Sequence, residues 1–350
     1  MKRFNKLVVM GLVAIMSVTA ALPVLATEQK ELSHIQDDSF DITTTINEKH
    51  QVIRTFERNI DNEMIALCNA DEDKNNGYKE TKELLIDLGM EQYAIDNLTN
   101  EDLERYARSP KIVTSVTYSK IDSEGKEIYL DESVAIQEAS VIQKIQEDKI
   151  QNKINGIETL EQDTYEDSYM RVFHSAVNNW NETITFTTDA RWLTMPFYRS
   201  NDSIGSAAQG CTVINDSRSG YIEYDTRITG FGYSDVYSEH KDLPSSQFQL
   251  ISDGTFFGTG AVVKLPVDAD SATQSVYNTN YKAHFQYSEH IMDPSFPHWY
   301  QTVGSYSHSR KTVVSDVSLG IGLKGVTGGI SIKSVDASDV RYVSFDFHYE

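Results

Sequence analysis

Three acidic or amide side chains near the start of the chain have the spacing of a calcium-binding loop. Asp71, Asp73 and Asn75 occupy alternate positions, as the first ligands of an EF-hand loop do. That loop also needs a glycine at its sixth position and a glutamate at its twelfth, where this chain has Asn76 and Lys82. The segment is therefore interpreted as a polar loop between helices, without a metal ion.

Histidines and other catalytic residue types are present without a recognisable motif. His284 and His290 share one face of a predicted strand and are expected to face solvent; the extended chain between them spans roughly 20 Å, too far for one metal ion. No Gly-x-Ser-x-Gly elbow, His-Glu-x-x-His helix, phosphate loop or dinucleotide fingerprint occurs. The sequence therefore predicts no catalytic residue, metal or cofactor.

Aromatic residues are dense in a short segment between two predicted strands. Phe296, His298, Trp299 and Tyr300 are the candidate ligand-binding residues of the sequence, because exposed aromatic rings stack on sugars or anchor in a partner protein. Aromatic loops also plug the open ends of β-sandwiches. Both interpretations stay open, and the partner expected from the first is an extracellular glycan or protein.

The chain has two cysteines, Cys68 and Cys211. In an oxidising compartment they could form one disulfide, which would join the first predicted helix to the second half of the chain. Two buried, unrelated thiols are the alternative. Two cysteines are too few for a zinc site or a disulfide framework.

Residues 313–335 have the alternating pattern of an amphipathic hairpin. With a two-residue turn at 324–325, Leu319 would lie opposite Ile330 on an apolar side, and small or polar residues would form the other side. The pattern favours a half-solvated sheet, and it also suits a β-pore hairpin. The neighbouring segment 306–311 is similar to the C-terminal part of lactococcin-type bacteriocins; it lacks their tryptophan–glycine signature, so no function is carried over.

The first 26 residues have the features of a signal peptide. A basic start precedes a mostly apolar run from Leu7 to Leu22, and small residues around Ala26 follow Pro23. The sequence therefore predicts a secreted, extracellular protein with no stable membrane anchor after cleavage. Its formal charge of -21 at pH 7 opposes nonspecific binding to nucleic acid and favours solubility.

Helical spacing dominates the first half of the chain. Apolar residues step by three and four within 46–69, which predicts a helix with one apolar stripe; these are Ile53, Phe56, Ile60, Met64 and Leu67. A second helix is predicted over 79–88, because Gly89 suits the residue that follows a helix. Thr99 and Asp102 have capping-box spacing and start a third.

Glycine divides the chain, since five of the 19 glycines precede residue 200 and the other 14 follow it. Alternating strands such as 221–231 and 281–291 dominate the second half. The predicted fold is therefore an α+β multidomain protein, in which an α-rich N-terminal domain precedes an all-β antiparallel sandwich. The predicted parts are a signal peptide at 1–26, a flexible lead at 27–42, the α-rich domain at 43–156 with a hairpin at 112–130, a linker at 157–168 and the sandwich at 169–350.

These patterns favour a noncatalytic extracellular protein whose sandwich binds a glycan or a protein. A secreted, membrane-active toxin or bacteriocin-like protein that uses the 313–335 hairpin is the first alternative. A hydrolase with a dispersed site is the second.

Overall fold

The computed structural model describes most of the chain after residue 28. The described residues are 29–37, 40–59, 74–122, 126–155, 169–179, 181–196, 199, 201–230, 233–252, 256–271, 274–292, 298–309, 319–324, 329–334 and 338–349. The predicted signal peptide and the predicted linker at 157–168 lie outside these residues.

The described chain is mostly antiparallel β-structure, and its strands alternate with four helices only in the first half. In this half the elements are β1 (Lys30–Gln36), β2 (Phe40–Ile46), β3 (Val52–Arg58), α1 (Lys74–Asp87), α2 (Gln92–Asp96), α3 (Asn100–Arg108), β4 (Lys111–Ile121), β5 (Glu127–Leu130) and α4 (Glu132–Ile154). The later strands are β6 (Met170–Asn179), β7 (Thr183–Trp192), β8 (Asn201–Gln209), β9 (Cys211–Val213), β10 (Ser219–Gly230), β11 (Tyr233–Asp242), β12 (Phe248–Ser252), β13 (Phe256–Lys264), β14 (Ala269–Asp270), β15 (Gln274–Ile291), β16 (His298–Ser309), β17 (Leu319–Lys324), β18 (Gly329–Ser334) and β19 (Ser338–Tyr349).

Two large sheets and one isolated hairpin contain these strands. The first sheet has 12 strands, with β1-β2-β3-β4-β6-β7-β15-β10-β11 as its main order. The second has five, in the order β12-β13-β8-β16-β19. Strands β17 and β18 pair with each other. The predicted strands 221–231 and 281–291 are found within β10 and β15.

The prediction of an α-rich N-terminal domain is wrong. Strands β1, β2 and β3 occupy stretches predicted as a flexible lead and a helix, and β4 pairs with β6 across the predicted linker, so one sheet runs through both halves. Ile53 and Phe56 explain the error, because a spacing of three fits one helical stripe but places residues on opposite faces of a strand. Ile53 packs in the core between the sheets, and Phe56 packs under the helices.

Two helix boundaries and the 112–130 hairpin are confirmed. After α1, Gly89 has φ +89°, and the N–H of Met90 donates to the Leu85 carbonyl at 2.8 Å, as expected for a left-handed residue after a helix. At α3, the Thr99 hydroxyl accepts from the Asp102 N–H at 3.1 Å, and the Asp102 carboxylate accepts from the Thr99 N–H at 3.0 Å. Strands β4 and β5 pair with each other, with Tyr118 opposite Leu130 and Ile121 opposite Glu127.

The two large sheets share one apolar core, and the helices build a second core on the outer face of the first sheet. Phe186, Phe285 and Phe347 belong to the core between the sheets. Leu88, in the turn after α1, and Tyr106 of α3 pack with Phe173 in the second core. The molecule is therefore layered as helices, long sheet and short sheet, and the isolated hairpin lies beside the short sheet.

Candidate functional site

The hairpin of β17 and β18 is separate from the ladders of the two large sheets. Its strands pair Ile321 with Ile332 and Leu323 with Ile330. The predicted register, with Leu319 opposite Ile330, is wrong, because Leu319 lies opposite Ser334. The shift is an even number of residues, so the predicted division of residues between the two faces is unchanged.

The hairpin departs from two neighbouring strands of the short sheet. The ladder between β16 and β19 begins with His298 opposite Tyr349 and ends with Ser309 opposite Ser338. The hairpin connects to the sheet at this second end. Among the described residues, β17 and β18 form no ladder with either large sheet. β18 lies next to β8, β16 and β19, and β17 next to β12. The hairpin is therefore held beside the sheet without sharing its hydrogen-bond ladders.

The hairpin ladder is offset from the β16–β19 ladder. Nine residues, 310–318, lead from Ser309 into β17, whereas three, 335–337, lead from β18 to Ser338. The two ladders therefore differ by six residues in register. Because six is even, a continuous hairpin that extended β16 and β19 would keep the same residues on each face.

A buried polar cluster lies where the hairpin leaves the sheet. Asp202 of β8 accepts a hydrogen bond from the Tyr306 hydroxyl at 2.5 Å, and the Nδ1 atom of His308 lies 3.0 Å from the same carboxylate. All three residues are buried. Burial raises the pKa of Tyr306 well above its ordinary value, so the phenol stays protonated and donates.

Arg341 brings a positive charge to this cluster from β19. Its side chain is buried, and burial lowers the pKa of its guanidinium. The guanidinium carbon lies 5.1 Å from the centre of the Trp192 ring, within cation–π range. His308 packs edge-on against the same ring, with centroids 4.7 Å apart. The root of the hairpin, where β16 and β19 end, is thus a dense set of buried polar groups. Tyr306 and His308 stand at alternate positions in the sequence, which places them on one face of a strand. No sequence pattern indicated that Asp202 and Arg341, on other strands, would join them.

His284 and His290 lie apart, as the spacing predicts, but they differ in burial. His284 is buried, so the expectation that it faces solvent is wrong for this residue. Its Nδ1 atom lies 2.6 Å from Asp189 Oδ1, and its ring stacks on Tyr221 with centroids 4.7 Å apart. Helix α3 helps to cover this face, where Gln286 donates to Asp102 at 2.9 Å. His290 is exposed.

The predicted ligand-binding residues have different positions. Phe296 lies outside the described residues. His298 and Trp299 begin β16, where they pair with Tyr349 and His348. Tyr300 is buried in the core between the sheets, and its ring lies so close to Gly210 that a Cβ there would be 2.8 Å from Tyr300 Cε1. The position of Tyr300 fits the plug interpretation, while ligand binding by the other three stays a prediction.

The predicted disulfide also stays a prediction. Cys211 is a buried free thiol in the described structure, and burial raises its pKa. Cys68 lies outside the described residues. Within the described part of the chain, His, Cys, Asp and Glu side chains form no group of three or more that could hold a metal ion.

No described helix combines the length and apolar character needed to cross a membrane.

Comparison with known proteins assigns no family to the chain. No family model and no curated protein matches it. One similar solved structure is titled "AvmM Catalyzes Macrocyclization in Alchivemycin A Biosynthesis"; it is 6% identical, the match covers 48% of this chain and 82% of that chain, and the TM-score is 0.23. A similarity this low carries no argument about fold or activity.

Proposed function

We propose that this protein is a secreted, membrane-active protein whose hairpin between β16 and β19 inserts into a lipid bilayer. The observation that supports this proposal is the separate status of the hairpin among the described residues, where β17 and β18 pair only with each other. Release from the short sheet therefore breaks side-by-side packing and leaves the strand ladders of both large sheets intact. A hairpin within a sheet would instead lose its hydrogen bonds to neighbouring strands.

Composition supports the same proposal. Only three of the 23 residues from 312 to 334 are charged, namely Asp316, Lys324 and Lys333, whereas 24% of the whole chain is charged. Residues at alternate positions are apolar, and the opposite positions are small or polar. A strand that crosses a bilayer needs about 9–11 residues with this alternation. Residues 313–323 and 326–335 provide two such lengths.

Insertion also requires that every backbone group in the lipid be paired. A single hairpin has two open edges, so hairpins from neighbouring copies must pair with each other. Because the offset between the two ladders is even, β16 and β19 can continue into the inserted hairpin while the apolar face stays apolar. The lipid then contacts that face.

Dye leakage from liposomes tests the proposal with two neighbouring substitutions. Ile332→Arg places a charge on the apolar face, and Ser331→Arg places the same charge on the opposite face. An arginine facing the middle of the bilayer costs about 2–4 kcal/mol per chain. We expect wild type and Ser331→Arg to release dye and Ile332→Arg to release little, and thermal melting of each protein checks that its fold is intact.

Equal leakage from both variants would show that the hairpin does not face lipid as proposed. If wild type releases no dye from liposomes of several lipid compositions, the membrane proposal fails. The noncatalytic binding protein would then be the better proposal, and Trp299→Ala in a glycan-array screen would test its aromatic segment.

A further inference from the structure

A cavity of about 230 Å³ lies at the junction of the long sheet and the helical layer. Strands β3, β4 and β6 and the connection between α1 and α2 provide its walls. Two arginines line it, Arg54 from β3 and Arg171 from β6. Neither takes part in the hairpin, so the cavity is independent of the proposed insertion.

Arg171 presents an unfilled donor at the cavity. The side chain is buried, and its Nη2 atom donates to the Gly89 carbonyl. Its Nη1 atom has no hydrogen-bond partner among the described residues, and the nearest carboxylate oxygen, on Glu91, is 3.8 Å away. A buried guanidinium N–H without a partner is costly, because charged groups lose the most when water is removed.

Arg54 presents a second unfilled donor. Its Nη1 atom is buried and has no hydrogen-bond partner in the described part of the chain. Burial lowers the pKa of this guanidinium, and the nearby charge of Arg171 acts in the same direction. The guanidinium fits against Gly89, where a Cβ would lie 2.7 Å from the Nη1 atom. Gly89 therefore has two roles: it adopts the left-handed conformation after α1, and its lack of a Cβ leaves room for the Arg54 guanidinium.

The carboxylates around the cavity are only partly engaged. Glu91 Oε1 accepts from Arg191 at 2.7 Å, and Glu132 accepts from the Tyr118 hydroxyl at 2.7 Å. Glu91 Oε2 has no hydrogen-bond partner among the described residues and forms the 3.8 Å ion pair with Arg171. Neither carboxylate forms an ion pair with Arg54 in the described structure. Two guanidinium groups therefore share one cavity, and each has an N–H that no protein oxygen fills. Guanidinium donors match the oxygens of phosphate and carboxylate in geometry and charge.

We propose that Arg54 and Arg171 bind a phosphoryl group in this cavity. A phosphoryl group has enough oxygens to accept from both unfilled donors, which a single carboxylate does less completely. The cavity volume is several times the ~30 Å³ that one water molecule occupies in the liquid. The cavity therefore leaves room for a small substituent on the phosphate. Free phosphate and a phosphomonoester lipid headgroup have this chemistry in common.

Isothermal titration calorimetry of the full chain with inorganic phosphate tests this site. Wild type is expected to bind phosphate saturably, and Arg54→Gln is expected to lose affinity by about tenfold or more, because a charge-assisted hydrogen bond is removed. Arg108→Gln is the matched control, since it removes the same charge from an exposed position on α3. If Arg54→Gln does not fold, Arg54→Lys keeps the charge without the planar fork and should still weaken binding.

The proposal is overturned if wild type binds no phosphate, or if the Arg54 and Arg108 variants bind it equally. A second titration with sodium chloride at the same ionic strength should show no saturable heat. Flotation with vesicles of phosphatidylcholine and phosphatidic acid separates the two sources. Vesicle binding that Arg54→Gln and free phosphate both reduce identifies a lipid headgroup, and phosphate binding without vesicle binding identifies the free ion. Neither measurement depends on dye leakage, so the hairpin proposal can fail while this one stands.

Discussion

Glu289 is an ionisable residue that is fully buried in the core of this protein. It lies on β15 with its carboxylate fully buried beside Cys211 and Tyr287. Burial raises the pKa of Glu289 well above its ordinary value, and the nearby Tyr287 hydroxyl and Cys211 thiol offset only part of this effect. By alternation Glu289 shares the face of β15 that carries Tyr287 and Ile291, which the sequence predicts to be apolar, so the pattern does not indicate a buried carboxyl group at this position.

The raised pKa of Glu289 has a definite consequence for stability. Between the unfolded pKa, about 4.3, and the folded pKa, the folded state binds more protons, so stability falls as pH rises. Glu289→Gln removes this titration and should be more stable than wild type at pH 8 by about 1–3 kcal/mol, with the difference shrinking toward pH 5. Urea unfolding across this range measures the effect. Glu101→Gln, at an exposed position on α3, makes the same chemical change outside the core and is the control. A constant difference for Glu289→Gln across this range would contradict the argument.

Elements whose ends are fixed by local chemistry were predictable from the sequence, and elements fixed by distant partners were not. Gly89 and the Thr99–Asp102 pair set helix ends through contacts within a few residues. β3 depends on hydrogen bonds to β2 and β4, the latter more than 50 residues away, and its own spacing fits a helix equally well. The hairpin faces could be predicted from alternation, while its register depended on a turn that alternation does not specify.

The capping box of α3 provides a test at this scale. Thr99→Ala removes the hydroxyl that accepts from the Asp102 N–H, and a lost cap of this kind costs about 0.5–2 kcal/mol. Asn100→Ala changes the next residue, which is exposed, and should alter stability by less than about 0.5 kcal/mol. Chemical denaturation of both variants measures the difference. Equal stabilities would mean that tertiary packing of Tyr106 and Leu103, and not the cap, holds the start of α3.

At the scale of the whole molecule, the two terminal strands have opposite environments. β1 forms one edge of the long sheet, pairs with β2, and is exposed along its whole length. β19 forms one edge of the short sheet, but it is packed into the core and contacts the root of the hairpin. Val343, Phe345 and Phe347 of β19 are buried.

This contrast predicts opposite results for two deletions. Removing 341–350 takes away three large buried apolar side chains, each worth roughly 1.5–3 kcal/mol, against a total stability of about 5–15 kcal/mol. It also removes Arg341 from Trp192 and opens the ladder edge of β16. The shortened chain should therefore be insoluble or lack a cooperative thermal transition.

Removing 29–37 deletes only β1 and its edge pairing. That chain should melt within a few degrees of the parent, because about 1 kcal/mol shifts Tm by only a few degrees in a protein of this size. Differential scanning calorimetry of the two deletions decides the matter: native melting after loss of 341–350 would mean that β19 does not complete the core, and unfolding after loss of 29–37 would mean that β1 supports more than its own edge.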